Sequence, residues 1–548
     1  MIRNKLLSFL TDKKTSKKKT IIFIRGYSFF KKQKKIYQFR ALKAELIATI
    51  HQFDNFFFRI TVFFYKDLKK INLNLSLSQY IVQKMSIRKL NLNILKSVVL
   101  SKKIFHRMPT LYKNLIEKNY NHTVSSFSNL ILWPLFCLLF WCYGNYLMLN
   151  IFFKSLLNLF KKEKNVDLFF FQIQKSNIPF FSNVVNPRNS YDLISWFNNF
   201  YYKRGTVIKN INHDNPSISN SYTKNLEISY SDPPYFFIRN IFKIFKFLFI
   251  SVFLSFISLI FLIIGKWSPA LLLNEIFKAI SYIDSKKSTN LKRYLFHYSE
   301  TIYRPIWTYF SDLKNAEIIL YFYSTYDAPT DYKNKKINRF YEFGNISWSK
   351  ILVWDENQKK ILSSFVDKNC ELIVTGPIWF RDKDFLFKKK SFKVMIFDME
   401  VQRLSVHYGW GEIAEYNNYN KNLSYLFLND IYNLFKNKDV EIILKRKRKI
   451  GDYSQTAYKN LILKLKKDPK FTEIDQDVSP QYLIENANIV ISTPFTSANL
   501  YNVKKDIKNI YYDPISYVDR EDPAARGFAI IRGFEELQAW EKNINYNL

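Results

Sequence analysis

Two uninterrupted apolar segments stand out in the first half of the chain. Leu130–Phe153 contains 24 residues without a charge, and Phe247–Ile264 contains 18 residues whose only polar members are three serines. Their lengths approach or reach the ~20 apolar residues with which a helix crosses a bilayer. The alternative is a helix buried in the core of a soluble domain. We predict two membrane-associated helices.

Basic residues flank both segments at both ends. Lys154 and Lys161 follow the first segment, Lys243 and Lys246 precede the second, and Lys266 follows it. Because the lysines show no asymmetry, the positive-inside rule does not choose between two spanning helices and two helices in one leaflet. The basic N-terminus lacks the apolar core and cleavage site of a secretory signal. We therefore expect the polar parts on the cytoplasmic side of a membrane.

From about residue 290 onward, short apolar runs alternate with helix-sized intervals. Each run is apolar throughout rather than at alternate positions, which indicates strands buried on both faces, as in parallel sheets covered by helices. The pattern predicts an α/β fold class. The predicted strands are Arg293–His297, Glu317–Tyr323, Lys350–Trp354, Glu371–Val374, Lys393–Phe397, Glu441–Leu444, Asn488–Ile491 and Ile510–Tyr512.

The long helical interval before Glu441 indicates that a second sheet begins near Lys393. We place a domain boundary between Asp384 and Lys393. A further short strand is predicted at Thr20–Ile24, within the strongly basic first fifty residues. No internal repeat is visible.

Composition and charge bear on whether the protein binds nucleic acid. Lys and Arg number 83 against 46 Asp and Glu, and the net charge of +37 would suit nucleic acid or an anionic membrane surface. Phe, Tyr, Lys, Asn and Ile are abundant while Gly and Pro are scarce, a profile that an AT-rich genome produces without selection for a partner. No nucleic-acid-binding motif accompanies the charge, so we expect no nucleic acid partner.

Few residues are suited to hold a metal or a cofactor. Three cysteines exclude a disulfide scaffold and a zinc finger, and the six histidines have no metal-ligand spacing. The two Asp-x-Asp strings, at Asp382 and Asp475, are short enough to arise by chance. Neither the dinucleotide-binding nor the Walker glycine pattern occurs. We expect no metal and no cofactor.

The sharpest local pattern lies near the C-terminus, where the apolar run ANIVI leads into the hydroxyl-rich string STPFTS. Pro494 suits the first turn of a helix, and Ser492 or Thr493 suits its N-cap. A helix N-terminus at the carboxyl edge of a parallel sheet is a phosphate-binding position. We predict that Ser492, Thr496 and Ser497 contact a phosphate. The alternative is an ordinary capped turn.

Five consecutive cations begin at Lys445, directly after the strand predicted at Glu441–Leu444. They should emerge at the same carboxyl edge as the STPFTS string. A cationic cluster beside an anion-binding turn suits the phosphates of a nucleotide donor. We predict phosphate contacts for Lys445, Arg446 and Lys447. The alternative is a solvated basic turn in a lysine-rich protein.

A third group of polar residues lies just past the predicted domain boundary. Asp398, Glu400 and Arg403 follow a predicted strand, and the string HYGWGE begins at His407. A histidine titrates near neutral pH and can move a proton. A lone histidine is more often structural, so the two interpretations stay open.

The C-terminal half resembles the bacterial proteins named for a polysaccharide-biosynthesis PFTS motif, and Pro494–Ser497 is that string. The resemblance covers roughly residues 290–548. The other matching strings are Tyr303–Trp307, Tyr321–Ser324, Val353–Asp355, Gly376–Trp379, Phe397–Asp398, Leu444–Arg448, Tyr512–Pro514, Arg526–Gly527, Gly533–Leu537 and Trp540.

This resemblance implies a glycosyltransferase of the GT-B type with two Rossmann-like domains. The two hydrophobic segments, predicted from their length and lack of charge, would then be inserted in the N-terminal half. In that architecture the C-terminal domain binds the donor nucleotide, the N-terminal domain binds the acceptor, and metal is usually dispensable. Asp513 and Arg526 would lie near the nucleotide sugar. We expect four regions: a basic N-terminal region that contributes to the N-terminal domain (1–128), membrane-associated segments with a basic loop between them (129–265), a Rossmann-like acceptor domain (266–390) and a Rossmann-like nucleotide-sugar-binding domain (391–548).

The expected function is transfer of a sugar from a nucleotide-activated donor to a surface polysaccharide or lipid-linked acceptor, at the cytoplasmic face of the bacterial inner membrane. The expected partners are the donor, the acceptor and the membrane. The alternative is a non-catalytic membrane scaffold of polysaccharide assembly. A general base must deprotonate the acceptor hydroxyl. The unranked candidates are Glu300, Asp327, Asp355, Asp398 and His407.

Overall fold

Two β-sheets follow one another along the chain in this computed structural model. The first has eight strands and the second has six. The structure describes residues 61, 64–65, 93–94, 97, 100, 102–120, 122–160, 166–171, 194, 197, 208–214, 221–223, 226–230, 237–285, 293–297, 304–313, 315–322, 324–325, 348–363, 366–376, 391–398, 423–447, 450–451, 454–474, 478, 480–501 and 507–546.

The first sheet has the strand order β3-β4-β2-β1-β5-β6-β7-β8. Neighbouring strands are parallel, except that β3 pairs with β4 in the antiparallel direction. Its strands are β1 (Leu168–Phe171), β2 (Asn210–His213), β3 (Ser221–Thr223), β4 (Leu226–Tyr230), β5 (Arg293–His297), β6 (Glu317–Tyr321), β7 (Lys350–Val353) and β8 (Glu371–Val374).

The second sheet is parallel throughout and has the order β11-β10-β9-β12-β13-β14. The chain first moves outward from β9 to β11, then returns to the other side of β9 and continues to β14. This is the strand order of a Rossmann fold. Its strands are β9 (Phe392–Phe397), β10 (Val440–Lys445), β11 (Phe471–Ile474), β12 (Ile489–Ser492), β13 (Lys508–Asp513) and β14 (Ala529–Arg532).

Ten α-helices connect or cover the strands within the described part of the chain. A five-residue π-helical turn, Ser128–Leu132, leads directly into the second of them. The helices are α1 (Thr110–Tyr120), α2 (Trp133–Leu157), α3 (Ile241–Ile263), α4 (Ser268–Asp284), α5 (Ile306–Leu313), α6 (Glu356–Ser363), α7 (Leu423–Phe435), α8 (Thr456–Leu465), α9 (Pro480–Glu485) and α10 (Gly533–Glu541).

Each sheet has an apolar core on both faces. On one face of the first sheet, Phe171 and Phe296 share a core with α4 and α5 and with the inner sides of α2 and α3. The other face packs around Phe170 and Leu295. The second sheet is covered in the same way on both faces. Burial on both faces explains why its central strands consist almost wholly of apolar residues.

The structure confirms the α/β fold class and the main elements predicted from the sequence. All eight predicted strands are present within one or two residues of their predicted ends. Both apolar segments are helices, α2 and α3, which are long and apolar enough to cross a membrane by length and composition. The strand predicted at Thr20–Ile24 lies outside the described residues.

Six strands were not predicted from the sequence. Four of them, β1 to β4, lie in residues 168–230, where we expected a basic loop between two membrane segments. β2 and β4 contain several polar residues (NINH, LEISY), so they lack the continuous apolar run that marked the predicted strands. β1 (LFFF) is apolar and buried throughout and was missed although it carries that signal. The remaining two, β11 and β14, are the edge strands of the second sheet, and an edge strand is less buried. The domain boundaries otherwise stay predictions.

Candidate functional site

The topology of the second sheet indicates where a ligand would bind. The chain leaves β9 toward β10 on one side and later returns to β12 on the other side, so the direction of winding reverses between β9 and β12. In doubly wound sheets, ligands bind in the crevice outside the carboxyl ends of the strands at this point. Here β9 ends at Phe397 and β12 ends at Ser492, and the next backbone N–H, of Thr493, donates to the Phe397 carbonyl at 3.1 Å.

The PFTS residues form a tight turn at this position. The Thr496 N–H donates to the Thr493 carbonyl at 3.2 Å, and the two threonine hydroxyls lie 2.8 Å apart. Pro494 and Phe495 are the central residues, with φ of 61° at Phe495. Proline followed by a residue with positive φ is the pattern of a type II turn.

The expectation that Pro494 begins a helix is wrong. The helix begins at Ser497 and is a 3-10 helix of five residues, Ser497–Tyr501. Thr493 therefore starts a turn instead of capping a helix. A helix this short has no substantial dipole, so any anion here would contact the hydroxyls and N–H groups of the turn itself.

Phe495 has a strained backbone that its side chain holds in place. A positive φ is rare for a bulky residue and costs of order 1–3 kcal/mol. The Phe495 ring is buried and packs edge-on against Tyr511 with centroids 5.6 Å apart. Burial of the ring offsets the backbone strain and fixes the direction in which Thr496 and Ser497 leave the sheet.

The basic run emerges at the same edge of the sheet, as expected. Lys445 on β10 is in register with Phe397 on β9, which is in register with Ser492 on β12. Neighbouring strands lie ~4.8 Å apart, so the backbones of Lys445 and Ser492 are separated by about 10 Å. In-register residues of parallel strands point to the same face, so all three side chains share one face of the sheet.

The three cations predicted to bind phosphate differ in their surroundings. Lys445 is buried at the end of its strand, and Lys447 is exposed. Arg446 forms an ion pair with Glu473 on β11, which already balances its charge. If Arg446 binds phosphate, it must do so while paired with Glu473.

Asp398, a candidate base, is buried beneath the basic run. Its carboxylate accepts a hydrogen bond from the Tyr458 hydroxyl and another, at 3.1 Å, from the Lys447 N–H. Burial raises the pKa of Asp398 from 3.8 to about 6, against the opposing effect of these hydrogen bonds and of the nearby Arg446 and Lys445. The carboxylate thus holds the first residues of the basic run in position.

Residues at the carboxyl ends of the first sheet's strands contact the PFTS residues. The Ser497 hydroxyl lies 2.8 Å from that of Ser324 and 3.4 Å from that of Thr325, and both of these residues follow β6. The Gln358 amide on α6 donates to the carbonyls of Ser324 and Thr325 at 3.1 and 3.3 Å. The carboxyl edges of the two sheets therefore face one another.

A second contact between the sheets joins two predicted site residues. Arg526, which precedes β14, forms an ion pair with Asp355, which follows β7. Asp355 also accepts the Gln358 N–H at 2.8 Å. Beside this pair, the Asn357 amide donates to the Pro523 carbonyl at 3.0 Å. Asp355 was predicted as a candidate base, and here it balances the charge of Arg526.

The remaining predicted residues divide into two groups. Asp513 is buried and accepts backbone N–H groups of Ile515, Tyr517 and Val518, so it shapes the loop after β13. Glu300, Asp327 and His407 lie outside the described residues, as do both Asp-x-Asp strings. Among the described residues, no group of His, Cys, Asp or Glu could hold a metal ion.

Sequence reasoning missed several residues of this edge. Tyr458 and Gln358 are ordinary helix residues by pattern, and nothing local marks them as partners of Asp398 or of Ser324. Thr493 was marked by its place in STPFTS, but only as a helix cap. Ser492 is buried, and within the described part of the structure its hydroxyl oxygen has no hydrogen-bond partner.

Comparison with known proteins gives a family and distant similarities to solved structures, among them two of a UDP-GlcNAc 2-epimerase. No curated protein matches the chain. A structure of UDP-GlcNAc 2-epimerase from Methanocaldococcus jannaschii is similar at 13% identity and a TM-score of 0.28, over 52% of this chain and 77% of that one. A structure of that organism's enzyme in complex with UDP-GlcNAc and UDP gives 12% and 0.28, over 50% and 76%. TM-scores and identities this low are not evidence of a shared fold or activity.

The family comparison covers the whole second sheet and strands β5 to β8 of the first. The model of the polysaccharide biosynthesis PFTS motif proteins matches residues 252–541, just over half of the chain. The match includes the PFTS turn, the basic run and the residues of the first sheet that face them. The chain belongs to the family of polysaccharide biosynthesis PFTS motif proteins.

Proposed function

We propose that this protein is a GT-B-type glycosyltransferase that transfers a sugar from a nucleotide donor to a surface polysaccharide or lipid-linked acceptor at the cytoplasmic face of the inner membrane. One observation carries the proposal. The PFTS turn and Lys445 lie on either side of Phe397, at the winding reversal of a Rossmann-order sheet. The family's role in polysaccharide biosynthesis supports a nucleotide sugar as the ligand.

In this proposal the donor diphosphate lies between the PFTS turn and the start of the basic run. Thr496 and Ser497 supply hydroxyl groups, and Lys445 and Lys447 supply positive charge. When the sugar–phosphate bond breaks, negative charge develops on the leaving phosphate, and preorganised donors stabilise that charge. The cations take the part that a metal plays in other transferases, so the proposal includes no metal.

The facing edge of the first sheet would bind the acceptor. Asp355 and Asp398 are already engaged, with Arg526 and with Tyr458 respectively. We therefore assign deprotonation of the acceptor hydroxyl to Glu300, Asp327 or His407. The exposed apolar sides of α2 and α3 are consistent with an enzyme that meets a lipid-linked acceptor at the membrane.

Nucleotide binding tests the proposal directly. A thermal-shift panel of CMP, UDP, GDP and their sugars is expected to identify one nucleotide class. A ligand at ~100 times its dissociation constant adds ~2.7 kcal/mol of stability. Transfer of a labelled sugar to a membrane-extracted acceptor then tests the reaction. A folded protein that binds none of these nucleotides contradicts the proposal and favours the scaffold.

Replacing Lys445 or Lys447 with alanine is expected to weaken donor binding about 10- to 100-fold, because a hydrogen bond to a charged group contributes ~1.5–3 kcal/mol. Lys467→Ala is the matched control, since Lys467 is an exposed lysine after α8, at the other end of the second sheet. Isothermal titration with the identified nucleotide measures the effect. Equal binding by all three variants would exclude the basic run from the site.

Replacing Thr496 with valine removes one hydroxyl at nearly constant volume. Donor binding is expected to weaken by ~1–3 kcal/mol, because a charged phosphate oxygen loses a hydrogen-bond donor. Thr472→Val on β11 removes a hydroxyl at the edge of the same sheet and serves as the control. If both variants bind the donor equally well, the Thr496 hydroxyl does not contact it.

A further inference from the structure

Helices α2 and α3 share one continuous apolar surface, which we call the α2–α3 face. On α3, Phe249 and Phe256 are 73% and 62% exposed. The two helices are joined through Ser255, whose hydroxyl donates to the Asn145 side chain at 2.6 Å and whose carbonyl accepts the Trp141 indole N–H at 3.0 Å. The face consists of Leu135, Leu138, Leu139, Tyr143, Tyr146, Leu149, Phe153, Phe242, Phe245, Phe249, Val252, Phe253, Phe256, Ile260 and Ile263.

The size and composition of the α2–α3 face favour lipid as its occupant. A 23-residue helix is ~34 Å long, and two such helices side by side give a surface of roughly 600 Å², at the upper end of the ~300–600 Å² of the largest apolar patch on a typical soluble monomer. No charge interrupts Leu130–Phe153 or Phe247–Ile264. A protein partner would need about one hydrogen bond per 100–200 Å², and only two tyrosine hydroxyls are available on this face.

The charges at one end of the face complement an anionic membrane surface. The C-terminal part of α2 and the N-terminal part of α3 lie together, with the rings of Phe152 and Phe245 6.1 Å apart. Lys154, Lys243 and Lys246 lie at this end. Lysines beside an apolar surface extend toward lipid phosphates while their stems remain in the apolar region, and each contributes ~1 kcal/mol near anionic lipid.

The sides of α2 and α3 that pack against the protein distinguish helices that span the bilayer from helices that lie in one leaflet. On α3, Ile244, Phe247 and Leu254 are buried in the same core as Phe171 and Phe296 of the first sheet. If α3 crossed the membrane, these strands and their loops would be drawn to membrane depth, where unpaired backbone groups cannot be satisfied.

Helix α4 supports the same conclusion. It packs against both α2 and α3, and most of its residues are buried. It also carries the ion pair of Glu275 and Lys278, 2.9 Å apart, and the buried Asp284, which accepts the Tyr65 hydroxyl at 2.9 Å. A helix with these groups belongs to the folded domain rather than to the lipid phase.

We propose that the α2–α3 face inserts into the acyl chains of a single leaflet, with both helices parallel to the membrane plane and the lysine side chains reaching the lipid phosphates. The inference rests on the membrane location in the proposed function but not on transferase activity. Its tests use vesicles without donor or acceptor, so they can fail while nucleotide binding succeeds, and the reverse.

Flotation with vesicles of phosphatidylcholine and phosphatidylglycerol measures the insertion. Phe249→Glu combined with Phe256→Glu is expected to lower the bound fraction more than tenfold. Leu463→Glu changes a residue of similar exposure, 64%, on α8 and is expected to bind like the wild type. Lys243→Glu with Lys246→Glu leaves the apolar face intact and is expected to weaken binding to anionic vesicles only. Equal flotation of the phenylalanine variant and the wild type would overturn the proposal.

Cys142, exposed near the middle of α2, reports the depth. An environment-sensitive fluorophore on Cys142, in a Cys370→Ser variant, is expected to be quenched best by nitroxide lipids labelled near the headgroup. In a spanning helix this position would lie near the bilayer centre, and deepest quenching there would overturn the single-leaflet geometry. A vesicle-independent dimer that shields Cys142 would identify a second copy as the occupant instead.

Discussion

Replacing Asp398 with alanine is expected to weaken donor binding about as much as Lys447→Ala and to lower the free energy of unfolding by ~2–6 kcal/mol. The side chain is buried and accepts hydrogen bonds from the Tyr458 hydroxyl and the Lys447 N–H. Each buried donor left without an acceptor costs ~1–3 kcal/mol. Lys447 would also lose the contact that fixes the start of the basic run. Urea unfolding and nucleotide titration measure the two effects.

Asp468 provides a matched control for this substitution. It accepts the same two kinds of donor, a tyrosine hydroxyl (Tyr432, 2.7 Å) and a lysine N–H (Lys470, 2.9 Å), but near the surface at the other end of the sheet. Asp468→Ala is expected to cost less stability, because water can replace the lost partner, and to leave donor binding unchanged. Equal losses in both variants would mean that burial of Asp398 has no special part in the site.

The contribution of Asp398 to the stability of the folded protein is expected to fall as the pH rises. Burial raises its pKa in the folded state from 3.8 to about 6. Between these values the folded protein holds a proton that the unfolded chain has released, so this contribution to stability is present below pH 3.8 and is lost as the pH rises through 6. A shift of about two units corresponds to ~3 kcal/mol.

Unfolding of the wild type and of Asp398→Asn from pH 4 to pH 7 measures this loss. The stability of the wild type relative to the variant is expected to fall over the interval, since asparagine does not titrate. A difference that stays constant with pH would show that the carboxylate is ionised throughout.

The ion pair between Asp355 and Arg526 is expected to contribute ~1–3 kcal/mol to the contact between the two sheets. Both side chains are partly buried, and removal of one partner leaves a charge with reduced access to water. A double-mutant cycle of Asp355→Ala and Arg526→Ala measures the coupling. The exposed pair of Arg520 and Glu536 is the matched control, with an expected coupling of ~0.2–1 kcal/mol.

The same pair distinguishes a positioning role for Asp355 from a catalytic one. If Asp355 holds Arg526 in place, the exchange of Asp355→Arg with Arg526→Asp should recover part of the stability lost in either single variant. If Asp355 is the general base, Asp355→Asn should abolish transfer activity, whereas Arg526→Ala, which removes the same ion pair but keeps the carboxylate, should retain most of it. The comparison of these two variants therefore identifies the role of Asp355.

The strands and helices predicted from local sequence are those that are apolar on all sides and so give a continuous apolar run, although the short run of β1 was missed. β9, β10 and β12 are covered on both faces, so nearly every residue is apolar and the strands are visible without the structure. The same holds for α2 and α3, which have an apolar surface on every side. The Pro-Phe-Thr-Ser string between a strand and a predicted helix was sufficient to locate the candidate site and to indicate the family.

Other features depend on contacts between residues that are far apart in the chain, so the local sequence does not predict them. The edge strands β11 and β14 are partly exposed and so resemble loops in sequence. Pro494 suits a helix start equally well, and the packing of Phe495 against Tyr511, which helps to hold the turn, joins residues 16 positions apart. Asp355 and Asp398 are both polar residues after apolar strands. The tertiary structure alone pairs the first with Arg526, 171 residues away, and buries the second against Tyr458.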